Sequence, residues 1–591
     1  HTRSSRNMSK LNIDQKTVKG LFSDTQADYL IPDYQRPYAW EDTECQTLWD
    51  DLFAFAIPED DASRFKREDK YYLGPIVTFK NEGGKQEIID GQQRLTSLLL
   101  LLRAFYERSS NQKDSETKSM RKMIEQCIWK TDEFDKPDQN ALKIDSEVAT
   151  DEDKGEFLEI LKSGKAHDNY KSQYAENYRF FEKKIDEFVN KLPDFFKYLP
   201  VRILNNCILL PIEAENQDTA LQIFSTLNDR GKQLSDADIF KAQFYKHYSA
   251  MGQKEAFIDR WNKLADLASA TFKNTSSGSP MDELFTRYMY YLRAMQGNTN
   301  TSTEALRKFY ERDNYRILKA EQTLDDLEAL ADFWSDVHVQ NKERFSDKIL
   351  RRFFVLSYAP NGMWTYLTSV YFLHHRQPDG LLEEVPFFQF LEQITAFIWA
   401  CTLNNLNVSG LRKPAFLKMV QIIRGEEVTF SDFSFKREDF IRVFRNYQFS
   451  NQRQITKSML AWWAFQFDKQ ELLDLGCDLH TEHIYARKRA EKEPSATIQP
   501  KLELLGNKSL LEQCINIRAS DYHFADKAAL YEGRQTGKGK TSKGKNGTRI
   551  YELLELADRQ TDFTEDDIVL RNERILNGFI DYLDRCGLLK G

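Results

Sequence analysis

One eleven-residue stretch near the amino terminus constrains the fold of this chain more than any other. It covers residues 87–97 and reads Glu-Ile-Ile-Asp-Gly-Gln-Gln-Arg-Leu-Thr-Ser. The pattern predicts a short apolar strand, a sharp turn at Asp90 and Gly91, and then a helix. Asp90 is the predicted N-cap, and Gly91 permits a tight turn or a close approach of a ligand to the backbone. The apolar stripe of the predicted helix consists of Leu95, Leu98, Leu99, Leu102 and Phe105.

A strand that leads into a helix in this way is suited to binding an anion, because the first N–H groups of the helix are free and lie at the positive end of the helix dipole. Gln92, Gln93 and Arg94 fall in the first turn. Two amides can read polar edges, and an arginine can hold a phosphate through two hydrogen bonds. A capped helix with solvated polar residues explains these three residues equally well. Residues 87–97 alone leave both interpretations open.

Two further stretches belong with the run Ile-Asp-Gly-Gln-Gln-Arg at 89–94. Residues 31–40 read Ile-Pro-Asp-Tyr-Gln-Arg-Pro-Tyr-Ala-Trp, and residues 224–241 follow the pattern F-x-x-L-N-x-R-G-x-x-L-x-x-x-D-x-x-K. In this order, the three motifs resemble the DUF262 family, the GmrS-like half of GmrSD-type restriction enzymes. The resemblance spans about the first 245 residues. It implies a ParB/sulfiredoxin-like fold and the hydrolysis of a nucleoside triphosphate.

The same resemblance selects the residues that would bind the nucleotide. Arg36 lies between Tyr34 and Tyr38, an arrangement that suits a cation–π clamp for a base or ribose. An ordinary packed loop, capping side chains and a solvated lysine are the alternative explanations. The predicted nucleotide-binding residues are Asp90, Gly91, Gln92, Gln93, Arg94, Gln35, Arg36, Asn228, Arg230 and Lys241.

Composition limits the class of protein. At 591 residues the chain exceeds a single core, so two to four domains are expected. We expect neither a transmembrane helix nor a signal peptide, because no run of 18 apolar residues occurs. Seven scattered cysteines without a C-x-x-C pair fit a reducing cytoplasm. The net charge of −8 excludes a basic nucleic-acid coat, so any DNA contact must come from local patches.

The predicted fold class is α+β and mostly helical, in three segments. Residues 8–249 are the predicted nucleotide-binding and hydrolysing domain. Residues 250–470 are rich in aromatic stripes at helical spacing, which are typical of core, and we interpret them as a helical connector. Residues 471–591 are the predicted nuclease domain.

The second group of chemically suggestive residues lies at 478–531. Residues 478–484 form a predicted short strand that carries two histidines, Asn507 opens an apolar strand, and Asn516 follows nine residues later. This order resembles an HNH nuclease, or His-Me finger, with a ββα-metal fold. The segment is also similar to the DUF1524 family, the GmrD-like half, whose pattern is E-H-I-x-P, G-N-L-x-L-L, N, K and Y. Ala486 and Lys508 depart from that pattern and leave the detailed shape of the hairpin open.

The nuclease resemblance assigns a role to each polar residue. His483 is the candidate general base, since an unperturbed histidine titrates near neutral pH. Asn507 would hold the hairpin or the imidazole. Asn516, together with Glu482 or Asp478, would ligate Mg²⁺ or Mn²⁺ through oxygen, as hard cations prefer.

Two other histidines in this segment, His480 and His523, are weaker ligand candidates, and any lone histidine is equally explained as a surface or core residue. Zinc is not expected, because no Cys/His quartet has the required spacing. Between His480 and Ile550 the chain has fourteen Lys and Arg against eight Asp and Glu, a net of +6. A basic end on an acidic chain is expected where a protein contacts the phosphate backbone. The run from Gly533 to Thr541 nearly spells a P-loop, but its glycine spacing is wrong and no strand precedes it.

Together these patterns predict a modification-dependent, type IV DNA restriction endonuclease. It would bind and hydrolyse a nucleoside triphosphate and cut or nick modified phage DNA, with a homodimer as one possible assembly. A nucleotide-gated DNA-binding switch with an inactive nuclease is one alternative. An RNase-type toxin with the same hairpin is another.

Overall fold

The computed structural model describes residues 12–13, 15–148, 151–220, 235–273, 278–302, 304–404, 408–515, 517–518, 520–534 and 547–590. Helices dominate these residues and the sheets are small, which confirms the α+β class. The chain divides into two compact units, His1–Asn262 and Lys263–Gly591. Residues 263–470 of the predicted connector therefore share one unit with the predicted nuclease segment 471–591. No helix within the described residues is long and apolar enough to cross a membrane.

A mixed sheet forms the centre of the first unit. Its strands, with those of a separate small hairpin, are β1 (Asn12–Ile13), β2 (Lys16–Thr17), β3 (Tyr29–Ile31), β4 (Tyr71–Lys80), β5 (Gln86–Asp90), β6 (Trp129–Thr131), β7 (Pro137–Leu142), β8 (Ile144–Ser146) and β9 (Cys207–Ala214). Seven strands pair in the order β1-β9-β4-β5-β3-β8, with β2 also beside β9, while β6 and β7 form the hairpin. β4 is the longest of these strands, and its register against β9 shifts between Tyr72 and Gly74.

The sheet order explains why two of the sequence motifs meet. β3 runs parallel to β5 and lies beside it, so both strands end at the same edge of the sheet. The segment 32–40 follows β3, and the turn at Gly91 follows β5. Ligands of α/β sheets commonly bind outside the carboxyl ends of parallel strands. The edge beyond β3 and β5 is therefore where a small-molecule site would form.

Helices surround this sheet, and one of them is the core of the unit. They are α1 (Val18–Phe22), α2 (Asp42–Ala56), α3 (Gln92–Arg108), α4 (Ser115–Ile128), α5 (Lys154–Ser163), α6 (Gln173–Lys191), α7 (Tyr198–Asn206) and α8 (Asp236–Ala250), and the division between the two units falls within the next helix, α9 (Lys254–Thr271). The predicted apolar stripe of α3 is confirmed as buried, and Leu100, Leu101 and Arg103 are buried too. Because α4, α5 and α6 all pack against α3, the helix has no solvent face along most of its length.

The second unit is a large helical assembly that holds the aromatic residues as core, as predicted. Its helices are α10 (Pro280–Met295), α11 (Leu306–Lys319), α12 (Glu321–His338), α13 (Asp347–Leu356), α14 (Met363–His375), α15 (Glu384–Leu403), α16 (Val408–Ile423), α17 (Arg437–Asn446), α18 (Gln454–Ala464), α19 (Arg487–Lys492), α20 (Gln499–Leu502), α21 (Phe524–Tyr531), α22 (Tyr551–Arg559) and α23 (Glu565–Arg585). Trp399 and Trp462, for example, are completely buried.

Four short strands complete the second unit. They are β10 (Phe435–Lys436), β11 (Leu479–His483), β12 (Lys508–Glu512) and β13 (Leu589–Lys590). β10 pairs with β13 in parallel, and β11 pairs with β12 in antiparallel register. The antiparallel pair is followed by α21, so the order strand, strand, helix agrees with the prediction for 478–531. The terminal helix α23 packs on α18, with the rings of Phe579 and Trp462 centred 5.2 Å apart.

Candidate functional site

The junction between β5 and α3 is built around a left-handed glycine. Asp90 is the last residue of β5, and Gly91 is the N-cap with φ +96°, so the prediction that Asp90 caps the helix is wrong by one residue. A Cβ on Gly91 would lie 3.2 Å from the carbonyl oxygen of Pro75, so β4 also passes close to the turn. Only glycine adopts this backbone without strain. Gly91 has no side chain, so no N-cap side chain binds the first N–H groups of α3. Anion sites at helix N-termini use N–H groups that are left uncapped in this way.

Three glutamine amides tie the segment 35–39 to this junction. Gln35 Nε2 donates to the carbonyl oxygens of Ile88 (3.1 Å) and Ile89 (3.0 Å), and its Oε1 accepts from Gln92 Nε2 at 3.1 Å. Gln93 accepts from the Ala39 amide at 2.7 Å and donates to the carbonyl of Pro37 at 3.2 Å. The three glutamine side chains are therefore hydrogen-bonded within the protein, and they hold the segment 35–39 against the junction between β5 and α3.

Arg94 holds the other side of the junction. Its Nη1 donates to the carbonyl oxygen of Pro75 at 3.2 Å. Gly74, with φ +139°, makes room for the guanidinium, since a Cβ there would lie 2.6 Å from Nη1. Arg94 thus lies beside the same carbonyl that approaches Gly91, close to the start of α3.

Two more of the predicted cations gather around Asp238 in the first turn of α8. Burial lowers the pKa of Arg36, and the charges of Asp238 and Asp90 oppose that shift. Burial also lowers the pKa of Lys241 to about 8, opposed by Asp238 and Asp33. Lys241 is only 5% exposed. A lysine that is buried and still charged near neutral pH makes this part of the domain strongly polar.

The residues Asn228 and Arg230 lie outside the described residues. Among the described ones, Gln35, Asp90, Gly91, Gln92, Gln93 and Arg94 form one connected junction. Arg36 adjoins it electrostatically through Asp90, and Lys241 through the Asp238 that it shares with Arg36. This cluster contains the charges and the uncapped helix terminus that a phosphate group would need.

The second candidate site lies on the β11–β12 hairpin. His483 ends β11 and faces Lys508, the first residue of β12. The Nε2 atom of His483 lies 3.3 Å from Oε1 of Glu503, which follows α20. Burial and the nearby charge of Lys508 lower the pKa of His483 to about 4, with Glu503 opposing. The imidazole is therefore neutral at neutral pH.

Glu482 points away from this imidazole into a buried ion pair. Lys527 on α21 donates to Oε1 of Glu482 and, at 2.6 Å, to the carbonyl oxygen of His483. The hydroxyl of Tyr531 donates to the same carboxylate oxygen at 3.3 Å. Glu482 is 7% exposed. It therefore joins the hairpin to α21, and this geometry does not support its predicted role as a metal ligand.

Asn507 is completely buried and holds the chain just after β11. Its Oδ1 accepts from the Tyr485 amide at 2.7 Å, and its Nδ2 donates to the carbonyls of Tyr485 and Leu502, each at 3.1 Å. Of the two roles predicted for Asn507, the geometry supports holding the hairpin and not the imidazole.

The donors predicted for a divalent cation do not come together among the described residues. Asp478 precedes β11, five residues and roughly 16 Å of extended chain from His483. Asn516 lies outside the described residues. No group of three or more His, Cys, Asp or Glu side chains within the described part of the chain is arranged to hold a metal ion. His480 pairs with Leu511 in the hairpin, and His523 lies 3.8 Å from Glu493 at the surface.

The two departures from the nuclease pattern have different consequences. Ala486 has φ −65°, the angle that proline would impose, so the backbone shape is kept. Lys508 instead introduces a fully buried ammonium group that donates to Glu503, to Asn451 Oδ1 at 2.7 Å and to the carbonyl of Phe449. The sequence motifs did not indicate Glu503, because it is twenty residues from His483 and belongs to no spacing pattern.

The terminal helix α23 fixes the start of β12. Arg571 Nη1 donates to the carbonyls of Gly506 at 2.9 Å and Lys508 at 2.6 Å, while Glu552 accepts from its guanidinium. A Cβ on Gly506 would lie 2.6 Å from the backbone nitrogen of Asn572. The hairpin is therefore held directly against the backbone of α23.

Comparison with known families supports the reading of the amino-terminal half. Residues 18–245 match the family model described as GmrSD restriction endonuclease, N-terminal domain. The match includes all three amino-terminal motifs and ends well before the β11–β12 hairpin. No curated protein matches the sequence.

Proposed function

Because residues 18–245 form a GmrSD-type amino-terminal domain, we propose that this protein is a modification-dependent, type IV DNA restriction endonuclease. The family match is the observation that carries the proposal, since it names a restriction endonuclease and thereby DNA as the partner. The nuclease chemistry would reside in the second unit, where a strand–strand–helix element presents His483.

In the amino-terminal domain, we propose that a nucleoside triphosphate binds at the edge beyond β3 and β5. The start of α3, capped only by Gly91, would receive a phosphate. Arg94, Arg36 and Lys241 would balance its charge. The amides of Gln35, Gln92 and Gln93 would hold the pocket walls in place, because their hydrogen bonds already join the two motifs.

At the hairpin, we propose that His483 acts as the general base. The neutral imidazole would take a proton from water, and the water oxygen would form a bond to phosphorus. The phosphorus bond to the leaving oxygen would break, and that oxygen would keep the electron pair and take a proton from solvent. A depressed pKa keeps the imidazole neutral in the resting enzyme. Mg²⁺ or Mn²⁺ remains a prediction from the family resemblance, because the described donors do not form its site.

The decisive experiment is cleavage of matched modified and unmodified phage DNA by the full-length protein. Each triphosphate would be supplied or omitted, and Mg²⁺, Mn²⁺ or a chelator would be present. We expect cutting or nicking of modified DNA alone, with a rate that changes when the correct triphosphate is added.

Other outcomes would identify the rival functions. Nucleotide-dependent DNA binding without any cleavage would indicate a nucleotide-gated switch with an inactive nuclease. Cleavage of RNA offered in the same reaction, with all DNA left intact, would indicate a toxin-like RNase.

A further inference from the structure

On the basis of the nuclease function proposed above, we further infer that Glu503 is the positioning residue for His483. Glu503 accepts a hydrogen bond from His483 Nε2 and so leaves Nδ1 as the atom that takes the proton from water. The 3.3 Å approach of Nε2 to Glu503 Oε1 is the geometric basis. His483 lies in the E-H-I motif, whereas Glu503 lies outside the sequence motifs.

The charges around Glu503 determine which nitrogen carries the proton. One carboxylate oxygen accepts from Lys508 Nζ, and the other accepts from Arg487 Nη2 at 2.6 Å. Burial alone would raise the pKa of Glu503, but these two hydrogen bonds lower it to about 2. An ionised carboxylate can only accept hydrogen bonds, so the Nε2 that faces it must be the protonated nitrogen.

The lysine that binds this carboxylate is itself held by the protein. The side chain of Lys508 is completely buried, and its other partners are Asn451 and the carbonyl of Phe449. The β11–β12 register sets Lys508 opposite His483. A carboxylate held this firmly would fix the orientation of the imidazole and stabilise the imidazolium that forms when the proton is taken, as the aspartate does in a Ser-His-Asp triad.

A purely structural explanation is that Glu503 is present only to neutralise the buried Lys508. The two explanations separate when Lys508 is first replaced. Lys508→Leu removes the buried cation and introduces the residue type that the family pattern has at this position, while Arg487 still holds Glu503. We expect Lys508→Leu to fold, and its own kcat is the reference against which the loss of Glu503 is measured.

In that background, Glu503→Ala removes the positioning carboxylate without leaving an unpaired buried charge. We expect kcat to fall by at least roughly 10- to 100-fold, the range typical when the carboxylate that orients a metal-ligating histidine is removed, with DNA affinity unchanged. Glu493→Gln is the matched control, because Glu493 also pairs with an arginine and lies near a histidine, at 3.8 Å from His523. That variant should cut normally.

The tautomer of His483 is measured directly by ¹⁵N NMR of the full-length protein labelled only at histidine, with His483→Ala assigning the signal among the nine histidines. We expect the Nε2–H tautomer in wild type and in Lys508→Leu, and a mixture once Glu503 is also replaced. A wild-type Nδ1–H tautomer, or a tautomer and kcat that are the same with and without Glu503, would overturn the inference. Normal cleavage by His483→Ala would instead overturn the proposed role of His483 as the general base, and the absence of all cleavage by the wild type would overturn the proposed nuclease function; in either case the tautomer measurement would still decide whether Glu503 orients the imidazole.

Discussion

Lys527 and Glu482 form a buried ion pair that joins α21 to the first strand of the hairpin. Their side chains are 5% and 8% exposed, and the same ammonium group also binds the carbonyl of His483. Lys527 thus binds both the side chain of Glu482 and the backbone carbonyl of His483. The orientation of His483 depends on this contact as well as on its own ring partner.

Replacement of Lys527 by methionine should destabilise the second unit by roughly 3–5 kcal/mol, because it leaves the Glu482 carboxylate buried and uncompensated. The double variant Glu482→Leu with Lys527→Met should recover much of that loss. Denaturant unfolding of the full-length protein measures the change, and hydrogen exchange of residues 479–483 locates it. Lys488→Met is the control, since Lys488 pairs with Glu491 at the surface, where a pair contributes about 0–1 kcal/mol. Equal stability of the two single variants would contradict the role assigned to the buried pair.

His483→Ala should lower the cleavage rate roughly 10²–10⁴-fold and leave DNA binding and nucleotide hydrolysis near normal. A general base acts only in the transition state, so its loss lowers the rate without weakening ground-state affinity. Plasmid nicking, filter binding and phosphate release report the three activities. His480→Ala is the matched control on the same strand, and it should cut at close to the wild-type rate. If His480→Ala is inactive and His483→Ala cuts, the assignment of the base is wrong.

Nucleotide affinity should decrease as pH rises through about 8, the lowered pKa of Lys241. Below this pH the charged ammonium group of Lys241 attracts phosphate, and above it the neutral amine does not. Binding should therefore take up a proton near pH 8, which titration calorimetry in buffers of different ionisation enthalpy detects. Lys241→Met should bind weakly and lose this pH dependence, while Lys246→Ala, an exposed lysine on the same helix, should behave as wild type. An unchanged wild-type affinity between pH 7 and pH 9 would remove Lys241 from the site.

A fragment of residues 471–591 should not fold on its own, whereas residues 263–591 should. Cutting at 470 removes α18, whose Trp462 packs on Phe579 and whose Trp463 donates to Glu552 at 3.0 Å. Gly578 is the close point of this contact, since a Cβ there would lie 3.1 Å from the Trp463 ring. Circular dichroism and limited proteolysis of the two fragments make the comparison. A cooperatively unfolding 471–591 fragment would show that the helical assembly is dispensable for the hairpin.

Local features of the fold could be predicted from the sequence because nearby residues decide them. The turn between β5 and α3 follows from Gly91, and the start of α8 follows from its N-cap Ser235, which accepts from the Asp238 amide at 3.2 Å. The β11–β12 strands also agree with their apolar patterns. Such signals depend on a few consecutive side chains, so no long-range contact is needed to read them.

Contacts between distant segments could not be predicted in this way. The periodicity of α3 indicates one buried face, yet it cannot count the helices that cover the others, and Arg103 is buried with the leucines. Nothing in the spacing of Glu503 or Lys508 shows that they meet beside His483. Gln92 bonds to Gln35, and Gln93 bonds to the carbonyl of Pro37, only because β3 and β5 are neighbours in the sheet.

The contact between Gly506 and α23 has a consequence for how the protein is made. Domains fold in order of synthesis, amino-terminal parts first. Arg571 and the backbone at Asn572 must be present before the start of β12 can be held in place. During translation, the histidine-bearing hairpin therefore stays incomplete until the ribosome has passed α23, long after the amino-terminal unit has emerged. A chain that stops before Glu565 therefore carries the amino-terminal unit without an ordered β11–β12 hairpin. Under the function proposed above, an interrupted round of synthesis would then release no active nuclease.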